Sequence, residues 1–193
     1  MARGDASTTI DRNAWVRAAV ERFEGPLARY AFRIVGEMES ARDIVQETFL
    51  KLCVQDRDRV EPHLAEWLFT VCRNRALDVL RKEKRVSRSA EPELSLSIVP
   101  ATDPDPSEGQ ERRDELERVL RVMAKLPETQ QEVIRLRFQE GFSYQEISRI
   151  TGLSVSNVGY LLHVGLKSLR GRLGASHGEA GPSPSPSGSS RHA

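Results

Sequence analysis

Catalysis needs nucleophiles, bases or metal ligands that converge, and this sequence does not space them that way. Its four His and two Cys are scattered, no glycine-rich phosphate loop occurs, and no nucleophile stands at a useful spacing from a base. No enzymatic activity, metal site or cofactor is expected. The residues able to do chemistry are cations and hydrogen-bonding groups at helical spacing, and that chemistry is polyanion binding. Residues 71–85 (VCRNRALDVLRKEKR) hold six basic groups against two acidic ones, among them Arg73, Arg75, Arg81 and Lys82. Asn74 lies between them with an amide that both donates and accepts. Trp67 and Phe69 stand just upstream, so cations for phosphates adjoin rings able to stack on unpaired bases. A basic run is equally the composition of a solvated helix face, and Trp67 is equally placed to be core.

A second set lies near the C-terminus. Ser143 and Glu146 have the spacing of a capping box, in which hydroxyl and carboxylate satisfy exposed backbone donors reciprocally. A short helix with Ile147 and Ile150 inward would run to Gly152, which can take the positive φ of a sharp turn. Ser154 would cap a second helix with Val155, Val158, Leu162, Leu166, Leu169 and Leu173 inward. A preceding helix starts after Pro127, carries Val133, Ile134, Leu136 and Phe138 as apolar positions, and stops at Gly141. Short helix, glycine turn and longer helix form the pattern of a DNA-binding helix-turn-helix, although an αα-hairpin that merely packs shares it. The second helix would present Ser156, Asn157, Tyr160, His163, Val164, Lys167 and Ser168 outward, with Arg170 and Arg172 beyond. Asn157 can pair with adenine, Val164 can touch a thymine methyl, and the cations can hold phosphates; arginine–guanine readout has little place on this face.

Helices must carry these groups. Apolar stripes recur at Leu27, Tyr30, Ala31, Ile34 and Val35 after Pro26, and at Ala41, Ile44, Val45, Thr48, Phe49 and Leu52 after a cap at Ser40. A third runs through Leu64, Leu68, Val71, Cys72, Ala76, Val79 and Leu80 after Pro62. No segment has the alternation and turns of a sheet, so the chain is expected to be all-α. Its 193 residues carry 29 Lys and Arg against 28 Asp and Glu. This near-neutral total excludes a uniformly basic coat protein or an acidic disordered chain. Two basic modules instead flank an acidic, proline-rich connector (Pro92, Pro100, Pro104, Pro106). Residues 174–193, with six Ser, four Gly and three Pro, predict a disordered tail. Cys53 and Cys72 are expected as buried thiols. No apolar stretch reaches membrane-helix length and the start carries no signal-peptide segment, so a cytoplasmic protein is expected.

In this order the segments ARDIVQETFLKL (41–52), AEWLFTVCRNRALDVLRKEKR (65–85) and LPETQQEVIRLRFQEGFSYQEISRITGLSVSNVGYLLHVGLKSLR (126–170) resemble regions 2.2, 2.3–2.4 and 4 of the sigma-70 family. With the middle region absent, they resemble its extracytoplasmic function (ECF) group. The resemblance implies a transcription initiation factor that joins core RNA polymerase and directs it to promoters. Domains follow at 1–86 (region 2-like), 87–112 (flexible linker) and 113–173 (region 4-like). The first would bind the clamp of the largest polymerase subunit through Asp43, Gln46, Glu47 and Leu50. It would open the minus-ten element through Trp67, Arg73, Asn74, Arg75, Arg81 and Lys82. The loop that would capture a flipped base, QDRDRVEP (55–62), departs from the family in lacking an aromatic. The second domain would bind the flap of the other large subunit and read the minus-thirty-five element through Ser154, Ser156, Asn157, Tyr160, His163, Lys167 and Arg170. The family also implies an anti-sigma partner. On the residues alone Leu50 is either an incidental surface leucine or an interface anchor. The acidic connector is either a tether or a nucleic-acid mimic. The rival reading is a conventional helix-turn-helix regulator with a ligand or dimer domain at 1–86.

Overall fold

A computed structural model describes residues 4–86 and 109–175. Helices follow in the order α1 (Gly4–Val35), α2 (Met38–Cys53), α3 (Arg57–Val60), a 3-10 turn (Glu61–His63), α4 (Leu64–Val86), α5 (Gly109–Met123), α6 (Glu128–Phe138), α7 (Tyr144–Thr151) and α8 (Val155–Ala175). No strand occurs among the described residues, in agreement with the all-α expectation. Most of the expected linker, and the tail from 176 onward, lie outside the described residues. Within the linker's expected bounds, α5 already begins at Gly109.

These helices form two compact units: 4–86 with Arg135–Gly159, and 109–134 with 160–175. In the first, α1, α2 and α4 pack on one another and α7 packs on α4. Leu27, Ala31, Ile44, Leu52, Leu68, Cys72 and Ala76 are buried at their center. Each large aliphatic side chain removed from water there contributes about 1.5–3 kcal/mol. The Phe69 ring lies between Tyr30 and Phe142, at 5.1 Å from each centroid. In the second unit Val122, Met123, Leu126, Ile134, Leu162 and Leu169 are buried. Gln131 Nε2 donates to the Leu126 carbonyl at 2.8 Å across the α5–α6 turn. Gly165 lets α8 approach closely, since a Cβ added there would meet Ile134 Cδ1 at 2.8 Å.

All six residues expected inward on α2 are buried. Four local expectations are corrected. Glu37, not Ser40, caps α2, its carboxylate accepting the Glu39 and Ser40 N–H groups at 2.7 and 2.5 Å. Those bonds hold its pKa below the usual carboxylate range. Cys53 is exposed, because it lies beside Gln46 and Leu50 on the outward side of α2 while its neighbor Leu52 is buried, whereas Cys72 is buried with its thiol pushed up to about 12 by burial. Phe138 and Val155 are exposed, each at a helix terminus where the apolar stripe outruns its neighbors. Finally, α1 begins far upstream of Pro26, which it contains. The stripe Trp15, Ala19, Phe23, Leu27, Tyr30 and Ala31 is buried continuously across the proline. That burial offsets the backbone hydrogen bond that proline cannot donate.

Candidate nucleic-acid interface

The helix-turn-helix closes as its residues dictate. Ser143 Oγ accepts the Glu146 N–H at 3.3 Å and Glu146 Oε2 accepts the Ser143 N–H at 2.7 Å, so both halves of the capping box form. The Ser143 bonds, more than neighboring Arg149, hold the Glu146 carboxyl below its ordinary pKa. Gly152 ends α7 at φ 75°, a region that favors glycine. Ser148 Oγ then donates to the Leu153 carbonyl at 2.5 Å, and Ser154 Oγ accepts the Asn157 N–H at 3.2 Å to start α8. Ile147, Ile150 and Val158 are buried beneath the turn. This fixes the start of α8 with Ser154, Ser156, Asn157, Tyr160, His163, Lys167 and Arg170 all exposed. Val164 is half-buried. Exposed polar side chains at the start of a capped helix, with cations a few turns on, can meet base edges and phosphates together.

The basic helix α4 is arranged differently. Asn74, Arg81 and Lys82 are exposed, while Trp67, Arg73 and Arg75 are half-buried. Phe69 is buried in the aromatic stack, so it is not available to stack on a base. Arg81 Nη1 donates to Asp78 at 2.8 Å. Arg75 Nη2 donates to Glu47 Oε1 at 2.7 Å, and its Nε approaches Oε2 at 2.5 Å off the hydrogen-bond angle. Bonding to Glu47 raises the Arg75 pKa. Two residues expected to serve different partners, Glu47 and Arg75, are therefore joined across α2 and α4. On the same side of α2, Asp43, Gln46 and Leu50 are exposed, Leu50 at 61%.

Sequence reasoning missed two contacts. Glu66, buried at 8% exposure, accepts from Arg149 Nε at 2.6 Å and Nη2 at 2.7 Å, tying α4 to α7. Arg12 Nη2 donates to the Gln55 carbonyl at 2.5 Å. Both link residues far apart in the chain, which no periodicity marks. No group of His, Cys, Asp and Glu suited to a metal occurs among the described residues. No helix among them is long and apolar enough to cross a membrane.

Comparison with known proteins agrees with this geometry. Residues 19–86 match the family described as Sigma-70 region 2, and residues 116–169 match Sigma-70, region 4. The chain is 33% identical over 132 residues to the ECF RNA polymerase sigma factor RpoE of Cereibacter sphaeroides, covering 68% of this chain and 69% of that one. It is 32% identical over 165 residues to the sigma factor CarQ of Myxococcus xanthus, covering 81% and 91%. It is 31% identical over 166 residues to the ECF sigma factor SigL of Mycobacterium tuberculosis, covering 81% and 88%. Its fold is similar to that of the sigma factor RpoE from Bartonella quintana, solved with the anti-sigma factor NepR. There the TM-score is 0.61 at 22% identity, over 82% of this chain and 96% of that one. CnrH, solved with the cytosolic domain of CnrY, gives a TM-score of 0.53 at 25% identity, over 83% and 88%. A region 2 match reaching from α1 through α4 sets aside the conventional regulator, in which those helices would be a ligand or dimer domain. The chain belongs to the ECF group of the sigma-70 family: it is a transcription initiation factor that binds core RNA polymerase and directs it to promoters.

Proposed function

We propose that α2 is the face this sigma factor turns to the clamp of the largest polymerase subunit. The observation that carries this reading is Leu50, a large apolar side chain 61% exposed and framed by Asp43, Gln46 and Glu47. An apolar anchor rimmed by carboxylates suits a partner surface that offers a pocket ringed by cations. Domain 1–86 opens the minus-ten element: Asn74 contacts an unpaired base, Arg73, Arg75, Arg81 and Lys82 hold phosphates, and Trp67 lies beside them. The connection at 55–62 captures one flipped base. Domain 113–173 meets the flap of the other large subunit and reads the minus-thirty-five element from α8. Asn157 pairs with a base, and Lys167 and Arg170 position the helix on phosphates. A protein partner holds the factor inactive by covering its polymerase-binding surfaces, by analogy with the relative solved with NepR. The factor performs no chemistry of its own and works in the cytoplasm.

The test is Leu50→Asp in a pull-down with purified core polymerase. Binding falls by more than about 30-fold, the equivalent of about 2 kcal/mol for an interface anchor, while thermal unfolding stays within a degree or two of wild type. A collapse in stability would identify Leu50 as a core residue and end the assignment.

A further inference from the structure

The connection between α2 and α4 is braced from outside by two residues that precede the region 2 match at residue 19. Within itself the connection is well bonded. Asp56 caps α3 by accepting the Asp58 N–H at 3.1 Å and pairs with Arg59 at 3.4 Å. Arg57 donates twice to Glu61, at 2.9 and 3.1 Å. Those bonds fix its local shape but not its place on the bundle. Buried Val60 roots one end. The other brace comes from α1, 43 residues away in sequence, where Arg12 Nη2 donates to the Gln55 carbonyl. That carbonyl lies just past the C-terminus of α2, where unpaired acceptors and the negative end of the helix dipole favor a cation. One turn on, Trp15 is buried, and the Arg57 guanidinium carbon stands 5.9 Å from its ring centroid. Arg12 thus holds the start of the connection and Trp15 its middle.

Beside Arg12 opens a cleft of about 600 Å³, lined also by Gln55, Asp56, Arg57 and Glu61. Its lining mixes carboxylate and amide acceptors with guanidinium donors, and the buried Arg12 Nε–H has no acceptor among the described residues. No aromatic lines the cleft among the described residues, so a base entering it would be held by hydrogen bonds rather than by stacking.

We infer that Arg12 and Trp15 are positioning residues for recognition of a minus-ten base. By fixing where Gln55 and Arg57 stand, they set the width and donor–acceptor pattern of the cleft an unpaired base enters. The part of α1 before residue 19 then belongs to the promoter-reading apparatus. This inference rests on the proposed role of the 55–62 connection. It differs from a merely structural role in one respect: it ties a residue remote from any DNA-contacting helix to the choice of base.

The experiment is in vitro transcription by full-length protein with purified core polymerase, on promoters randomized separately in the minus-ten and minus-thirty-five elements. Arg12→Ala lowers discrimination at one minus-ten position by at least fivefold and leaves the minus-thirty-five preference and core binding unchanged. Arg12→Lys, which still donates to the Gln55 carbonyl, restores most of it. Trp15→Leu, apolar but offering Arg57 no ring face, shifts the same position by about threefold. Equal losses on all promoter variants, or an Arg12→Ala profile matching wild type, overturn the inference while leaving the functional reading intact. Wild-type protein whose transcription is indifferent to every minus-ten base removes the functional reading, and this inference with it. If Arg12→Ala fails to fold, Trp15→Leu against wild type decides: an altered preference at that minus-ten position in a stably folded Trp15→Leu supports positioning, and no change refutes it.

Discussion

Two basic helices put their charges to different uses. On α4, Arg75 is bonded to Glu47 of α2, Arg81 to Asp78, and Glu66 receives Arg149 from α7. On α8, Lys167 and Arg170 stand exposed on a helix whose opposite side, Val158, Leu162 and Leu169, is buried. One cation of α4, Arg75, therefore ties two helices together, and the α4 carboxylate Glu66 ties a third, whereas Lys167 and Arg170 of α8 stand exposed to a ligand. Substitutions on α4 should mix stability with binding, and substitutions on α8 should separate them.

The largest contrast to test is accessibility. In native protein Cys72, buried on α4 with its thiol pushed up to about 12, reacts with iodoacetamide at least about 10³-fold more slowly than exposed Cys53. A cysteine introduced by Ser156→Cys on α8 reacts as fast as Cys53. Fast alkylation of Cys72, read by mass spectrometry, would show that α4 is not held as described.

Next in size are the base contacts. Asn157→Ala costs about 1–3 kcal/mol of discrimination at one minus-thirty-five position without changing thermal unfolding. Its companion Lys167→Ala weakens all sequences alike and lowers the salt slope by about 0.9. Binding measured across salt and across promoter variants separates the two. Reversed behavior would exchange their roles.

Arg75→Ala should look unlike either. Losing a partly exposed, bonded pair costs about 1 kcal/mol of stability, a fall of a few degrees in the unfolding midpoint. It also frees Glu47, so core binding and minus-ten DNA binding change together. An Arg75→Ala variant that altered only the salt slope would erase the distinction between the helices.

The smallest effect concerns acid. Glu146 has its pKa depressed in the folded chain, so the stability it contributes is present above its unfolded value and is lost as pH falls through the folded one. As pH falls below the ordinary carboxylate range the capping box weakens, and the loss approaches the roughly 1 kcal/mol of a helix cap. Glu146→Gln, which carries no titrating group, should flatten that part of the pH–stability curve.

What was legible in the residues was local. The inner face of α2, the capping box at Ser143 and Glu146, and the positive φ of Gly152 each follow from spacing within a few residues. The misreadings fall where local rules run out. Phe138 and Val155 continue an apolar stripe past the point where anything covers it, and Cys53 lies off the buried side of α2, next to Gln46 and Leu50. Ser40 is a good cap residue, but Glu37 stands at the extended residue that precedes the helix. Arg12 with Gln55 and Glu66 with Arg149 depend on which helices meet, and composition carries no trace of that. Pro26 concealed the upstream half of α1 because a proline ordinarily ends a helix, yet here a buried stripe on both sides outweighs it.

The Glu66–Arg149 bond also has a consequence for how the chain comes together in time. Its partners lie 83 residues apart, and closing a loop of that length costs on the order of 4 kcal/mol in chain entropy. The contacts among α1, α2 and α4 close much shorter loops and become available earlier in synthesis. A nascent chain can therefore build its first three long helices before the helix-turn-helix emerges. Arg149 then docks against a carboxylate already held in place, and the later element takes its position from the earlier one.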